Sequence, residues 1–166
     1  MPVIEWHLET FNDIQFQSPF KLEVDPNMPE IPAEVQVMVK EFKQVRALQS
    51  GEVTMNVVKT VYEDKVKVSL DGAATGSINA MALELGDKTP VPNFEEIKGK
   101  SYEGYIGIYN TTVENKKILI RAAYIVKGQN LYMVIIMFPE ESFSEDQAYK
   151  ILDSIEFKTL ATSGAK

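Results

Sequence analysis

The segment at residues 131–138 constrains the fold most, because apolar side chains occupy both faces of this short run. In an extended strand successive residues point to opposite faces. One face therefore carries Leu, Met, Ile and Met, and the other carries Tyr, Val, Ile and Phe. A strand that is apolar on both faces has to be covered on both faces. We therefore expect this strand to lie in an interior layer with helices on each side.

Two more strands precede it in the sequence, at residues 102–110 and 117–126. Residues 127–130, which read Lys-Gly-Gln-Asn, supply a tight turn between the last two strands. Strands that are joined by short turns pair in antiparallel fashion. The predicted fold class is α+β, with an antiparallel β-sheet sandwiched between helices.

The N-terminal half predicts further strands. Apolar and polar residues alternate over residues 4–9, as in a half-buried strand, and residues 14–24 continue this pattern. Residues 44–48 and 53–61 read as two strands around a Ser-Gly turn.

Residues 32–42 fit both the period of a strand and the period of a helix. Three valines alternate as in a strand, whereas the spacing of a helix face is shown by Val35, Met38, Val39 and Phe42. Pro32 suits the first position of a helix. We interpret this segment as a short helix.

Two longer helices are predicted from their capping residues. Ser69 or Asp71 can cap a helix that runs to Leu85 and ends at Gly86. The inner face of this helix is predicted to be Ile78, Met81, Ala82 and Leu85.

The last helix begins at Ser144, and Gln147 three residues later completes a capping box. Phe143 and Ala148 are placed for a hydrophobic staple across this cap. The predicted inner stripe is Ala148, Ile151, Leu152 and Ile155.

Length and charge narrow the class of protein. The 166 residues suit one domain at residues 1–158, with residues 159–166 as a disordered tail. The 17 basic and 24 acidic residues give a net charge of −7, which disfavours binding to nucleic acid. The longest apolar run is too short to span a bilayer, and the N-terminus lacks the pattern of a signal peptide. The sequence thus leaves a cytoplasmic protein or a processed secreted or periplasmic domain, of undetermined oligomeric state.

Catalytic and metal-binding motifs are weak in this sequence. Cysteine is absent, and His7 is the only histidine, in a strand between two glutamates. Both facts disfavour a zinc site and a catalytic triad. We expect no enzyme activity, no metal and no cofactor, although paired carboxylates brought together by folding stay open as a third possibility.

Three short motifs resemble known sites but have simpler interpretations. Residues 72–77 look like a phosphate-binding loop but lack its lysine, so we interpret them as a small-residue helix face packed on the sheet. Ser18 and Lys21 match a Ser-x-x-Lys pair, but Pro19 places them in an extended segment. The acidic residues of segment 140–146 match no calcium loop and favour a helix N-terminus.

A partner site is predicted in the connection at residues 87–100, together with the strand that follows it. This connection shows no clear secondary structure, and loops of such length are often functional. Its Phe94 offers an aromatic anchor beside Glu95 and Glu96. Tyr105 and Tyr109 flank Gly107 on one strand face and could form a shallow aromatic groove, or that face could accept a packed helix.

Four segments carry a family resemblance: residues 70–74 (LDGAA), 102–105 (YEGY), 125–134 (IVKGQNLYMV) and 151–157 (ILDSIEF). In this order they resemble the PsbP-like fold family, which includes an extrinsic subunit of photosystem II, a Ran-binding nuclear-import protein and bacterial domains of unknown role. The chain looks most like the bacterial members. The resemblance implies an antiparallel sheet between helices and a non-enzymatic, partner-binding role, and it transfers no site residue.

The function predicted from the sequence is a non-catalytic binding or accessory domain that contacts a protein partner. The alternative is a small-molecule carrier with an internal pocket for an apolar ligand. A deep pocket would favour the carrier, and a closed core with an exposed aromatic patch would favour the binding module.

Overall fold

Antiparallel strands are the main secondary structure of the chain that the computed structural model describes, which is residues 5–26 and 33–158. The helices are α1 (Ala33–Gln36), α2 (Leu70–Glu84) and α3 (Glu145–Asp153). The strands are β1 (His7–Phe11), β2 (Ile14–Ser18), β3 (Leu22–Glu23), β4 (Val39–Ala47), β5 (Thr54–Tyr62), β6 (Asn93–Glu96), β7 (Glu103–Val113), β8 (Lys116–Lys127), β9 (Asn130–Pro139) and β10 (Glu156–Phe157).

The large sheet has the strand order β3-β4-β5-β9-β8-β7-β6, and β1, β2 and β10 form a small sheet in the order β1-β2-β10. The predicted run of three antiparallel strands is confirmed as β7, β8 and β9. Their turns are tight. Gly128 lies at φ +65° between β8 and β9, and Glu114 and Asn115 both have positive φ between β7 and β8.

One face of the large sheet packs against α2. Ser69 caps this helix by accepting a hydrogen bond from the Gly72 N–H, and Gly86 at φ +93° follows its end, as predicted. Ile78 and Ala82 of the predicted inner face are fully buried, whereas Met81 and Leu85 are half-buried. The buried core on this side comprises Ala74, Ile78 and Ala82 of α2 with Tyr109, Ile120, Ala122, Tyr124 and Ile135 of the sheet.

The other face is covered by α3 together with the small sheet. The capping box of Ser144 and Gln147 forms as predicted, with the Gln147 N–H 3.0 Å from Ser144 Oγ. All four residues of the predicted inner stripe are buried in one cluster with Phe16 of β2 and with Tyr132, Val134 and Ile136 of β9. The chain is thus mostly β, with few helices and with antiparallel sheets. On the face where the sequence predicts a layer of helices, the small sheet packs beside α3.

The helix predicted at residues 32–42 is wrong over most of its length. Within the described residues only Ala33–Gln36 are helical, Pro32 lies outside them, and Val39 and Phe42 belong to β4. Neither period holds throughout, because Val35 lies in α1, Val37 lies in the turn after it, and only Val39 starts the extended segment that continues as β4. Pairing with β5 satisfies the backbone hydrogen bonds of this segment, with an irregularity between Val39 and Glu41.

Of the small residues at 72–77, Ala74 is buried against the sheet as predicted, whereas the two glycines do not pack closely on it. A Cβ atom placed on Gly76 would meet nothing within 4 Å, and one placed on Gly72 would meet only the capping Ser69 side chain. The glycine that lets α2 approach lies instead in the sheet. A Cβ on Gly107 would lie 2.5 Å from Ile78 Cδ1 and 3.1 Å from Tyr124 Cε2. Helix and sheet therefore meet at a strand glycine.

Candidate functional site

The connection at residues 87–100, predicted to lack secondary structure, contains the edge strand β6. It pairs antiparallel with β7, with Phe94 opposite Gly107 and Glu96 opposite Tyr105. Pro90 precedes the strand, and proline lacks the N–H that a central strand would need. This edge of the large sheet is therefore short.

The predicted site residues divide between the two faces of the sheet. The face that carries α2 holds Phe94, Glu96, Tyr105 and Tyr109, because directly opposed residues share a face and adjacent residues of one strand do not. Glu95 lies on the face that carries α3. The structure brings Phe94 and Tyr105 together, with ring centroids 6.4 Å apart, and sets Glu95 apart from them.

Tyr109 is buried beneath α2, and its hydroxyl donates a hydrogen bond to Asp87 Oδ2. The strand face that holds Tyr105, Gly107 and Tyr109 therefore accepts a packed helix over much of its length. Only its Tyr105 end, beside β6, opens to solvent.

A cleft of about 310 Å³ lies at that open end, between α2 and β6, and we call it the α2-side cleft. Its walls are Asp71, Ala74, Thr75, Phe94 and Tyr105. A hydrogen bond to Asp71, together with its negative charge, raises the pKa of Tyr105. The hydroxyl of Tyr105 therefore stays protonated at neutral pH. The cleft combines two aromatic rings with one carboxylate.

A second cleft, of about 300 Å³, lies on the opposite face of β6, and we call it the α3-side cleft. Tyr149 and Leu152 of α3 line it together with Glu95 and Lys98. Burial, as the largest cause, raises the pKa of Tyr149. A third cleft of about 330 Å³ lies beyond the end of β6, between Leu70 and Tyr105. Clefts thus adjoin β6 on both faces and at one end.

The backbone of β6 presents hydrogen-bonding groups to solvent. The Ile97 N–H donates to the Gly104 carbonyl at 2.9 Å. Along an antiparallel pair, every second residue of a strand points its backbone N–H and C=O toward the partner strand. Glu95 therefore points its N–H and C=O toward β7. The N–H and C=O groups of Phe94 and Glu96 point away, to the open edge of the sheet.

Acidic side chains dominate the rim of this edge. Glu95, Glu96 and Glu103 are exposed, and Asp71 stands at the mouth of the α2-side cleft. Of the nearby lysines, Lys98 is exposed, and Lys100 is engaged, since its Nζ donates to the Asp153 carbonyl at 2.8 Å and lies 3.6 Å from Glu156. The edge therefore carries excess negative charge.

The other sequence motifs have structural roles within the described residues. His7 is exposed and bonds to Glu9. Ser18 is fully buried, and its hydroxyl donates to the Phe20 carbonyl. No group of three or more histidine, aspartate or glutamate side chains that could hold a metal ion occurs among residues 5–26 and 33–158.

The acidic cluster at 140–146 is tied to basic residues. Glu140 pairs with Lys117, and Glu141 with Lys116. Glu145 Oε2 receives two hydrogen bonds from the buried Arg121, at 2.7 and 2.9 Å. These contacts anchor the start of α3 to β8.

Sequence reasoning missed Asp71 and Thr75 as neighbours of Phe94. Both lie on α2, about 20 residues away in the sequence, and only tertiary packing brings them to β6. The strand character of β6 had a faint signal in the alternation of Phe94 with two glutamates. No helix in the described part of the chain has the length and apolarity needed to cross a bilayer.

Comparison with solved structures shows what fold this is. The chain resembles cyanobacterial PsbP (CyanoP) from Synechocystis sp. PCC 6803, with a TM-score of 0.59, 9% sequence identity and 95% of each chain covered. A protein of unknown function, PA94 from Pseudomonas aeruginosa, matches at a TM-score of 0.36 and 12% identity, over 87% of this chain and 94% of that one. No protein-family model and no curated protein matches the sequence. The chain therefore has a PsbP-like fold.

Proposed function

We propose that the chain is a non-catalytic accessory domain that binds a protein partner by adding an extended segment of that partner to β6. The observation that carries the proposal is the open edge of this strand, where the backbone groups of Phe94 and Glu96 face solvent. Strand addition at such an edge is a common mode of peptide recognition, in which main-chain hydrogen bonds supply affinity.

The two clefts beside β6 supply specificity in this proposal. Successive side chains of an added strand point to opposite faces of the sheet. One set would enter the α2-side cleft and contact Phe94 and Tyr105. The other set would enter the α3-side cleft and contact Tyr149. An aromatic or long aliphatic side chain suits each cleft.

The charge of the edge selects a basic partner. The exposed Glu95, Glu96 and Glu103 favour lysine or arginine in the bound segment and repel an acidic one. Pro90 and Pro92 restrict the backbone just before β6, which limits the entropy lost on binding. The partner is therefore a short, basic, extended segment.

A selection from a random peptide library tests this proposal. We expect the native protein to enrich peptides in which apolar and basic residues alternate. Glu96→Pro should weaken their binding by about tenfold or more, because it removes an outward N–H and leaves the ladder with β7 intact. Dissociation constants from calorimetry and thermal melts of both proteins are the measurements.

Glu96→Gln is the matched control, because it removes the same charge and keeps the N–H. A modest loss with Glu96→Gln and a large loss with Glu96→Pro would support strand addition. Equal affinities of Glu96→Pro and the native protein, at equal melting temperatures, would refute it.

A second candidate function is the carriage of an apolar ligand. A different cleft, of about 310 Å³, has walls formed mainly by Leu85, Ile118, Met137 and Phe138. It is a surface cleft at the lower end of the size range of small-molecule sites. We expect Met137→Lys to abolish any binding of the fluorescent fatty acid cis-parinaric acid, measured by its emission. Failure of the native protein to bind this probe at micromolar concentration would remove the carrier function.

A further inference from the structure

A different cleft, of about 190 Å³, lies where β9 begins and the small sheet meets the large one. We call it the basic cleft. It is separate from the residues of β6 and uses none of them. The residues that line it are Asp13, Lys127, Asn130, Tyr132, Phe157 and Lys158.

The single carboxylate in the basic cleft is already engaged. Asp13 Oδ2 accepts a hydrogen bond of 3.0 Å from the Tyr132 hydroxyl and lies 3.7 Å from Nζ of the buried Lys59. Burial, together with this hydrogen bond, raises the pKa of Tyr132, so its hydroxyl keeps donating to Asp13 at neutral pH. Lys59 thus balances the charge of Asp13.

The two lysines at the mouth of the cleft remain available. Neither Lys127 nor Lys158 forms an ion pair with any residue that the structure describes. Lys127 Nζ lies 4.3 Å from the centroid of the Phe157 ring, which orients it over the cleft wall. In a chain of net charge −7, two unpaired ammonium groups beside one cleft form a local positive site.

The walls of the basic cleft are aromatic. The rings of Tyr132 and Phe157 stand edge to face, with centroids 5.3 Å apart. Asn130 at the start of β9 adds a side-chain amide to the lining. Two cations, an amide and two rings suit a ligand that has an anionic head and a small flat apolar body.

We propose that the basic cleft binds a small organic oxyanion, with a phosphate or carboxylate head held by Lys127 and Lys158 and an apolar body against Phe157. The head belongs to a free metabolite-sized molecule or to a lipid, since both present the same oxygen atoms. Ammonium–oxyanion contacts are charge-assisted and weaken as salt increases.

The test is a titration of ¹⁵N-labelled full chain with phenyl phosphate, benzoate and neutral phenol, monitored by amide chemical shifts. We expect both anions, but not phenol, to shift the amides of Lys127, Asn130 and Lys158. The double variant Lys127→Gln and Lys158→Gln should bind phenyl phosphate about tenfold more weakly or worse. Lys65→Gln with Lys67→Gln is the matched control, since it removes two exposed charges elsewhere.

Three results would overturn the proposal. The first is an unchanged affinity of the Lys127 and Lys158 variant, and the second is an equal loss of affinity in the control. The third is no binding of phenyl phosphate by the native protein at millimolar concentration. Sedimentation with vesicles of phosphatidylcholine containing phosphatidic acid distinguishes the sources. Binding to these vesicles that is lost in the double variant assigns a lipid headgroup, and binding of phenyl phosphate alone assigns a free ligand.

Discussion

Leu152→Ala lowers the free energy of unfolding by about 2–5 kcal/mol, the range for truncation of a buried leucine. Leu152 is 3% exposed and packs in the cluster that α3 forms with the large and small sheets. Its loss leaves a cavity between layers that cannot close without moving the capped helix. Urea denaturation followed by circular dichroism measures the change.

Leu83→Ala is the matched control, because Leu83 also lies in a helix but is 61% exposed. We expect it to change the free energy of unfolding by no more than about 0.5 kcal/mol. Equal effects of the two substitutions would mean that α3 does not pack on the sheet through Leu152.

Gly104→Ala also destabilises the protein, by about 1–3 kcal/mol. A Cβ atom at this position would lie 2.6 Å from the backbone oxygen of Tyr124 and 2.8 Å from Ile97 Cδ1. The carbonyl of Tyr124 belongs to the central strand β8, which cannot shift without disturbing its pairing with both neighbouring strands. The contact with Ile97 would push away the residue that follows β6. Thermal and urea melts measure the loss.

The control for Gly104→Ala is the same substitution at Gly76. That position is in α2, and a Cβ there would meet nothing within 4 Å. Alanine favours a helix over glycine, so Gly76→Ala should raise the free energy of unfolding by about 0.5–1 kcal/mol. Opposite signs at the two glycines are expected, and a neutral Gly104→Ala would contradict the close approach of the Tyr124 carbonyl and Ile97 to Gly104.

The sequence predicts those parts of the fold whose signals are local. Side chains on both faces of residues 131–138 required cover on both sides, and the capping residues Ser69 and Ser144 marked the starts of α2 and α3. These signals depend on hydrogen bonds and periodicity within a few residues of each other. These signals can therefore be recognised without knowledge of the tertiary contacts.

Errors arose where distant pairing decides the conformation. Val39 and Phe42 fit a helix by spacing but extend as β4, because β5 supplies their hydrogen-bond partners. The sequence of the short strand β6 predicts a loop for the same reason, since its pairing with β7 is not visible in four residues. The small sheet on the α3 side was also unforeseen, because β10 contributes only two residues to it.

The candidate site was predictable only in part. The pattern of Phe94 beside two glutamates directed attention to the correct segment of the chain. It could not show that Glu95 faces away from Phe94, or that α2 brings Asp71 to Tyr105, because both follow from strand pairing and helix packing. The strand face alone predicts Tyr109 as a site residue, but α2 covers that face and buries the side chain.

The most direct test of strand addition at β6 is amide hydrogen exchange of Phe94 and Glu96, measured by NMR with and without a selected basic peptide. In the free protein both N–H groups face the open edge, so we expect them to exchange much faster than that of Glu95, which points toward β7. With peptide bound, exchange at both should slow by about tenfold or more, because each N–H donates to the added strand. Unchanged exchange at Phe94 and Glu96 in the saturated complex would contradict the account.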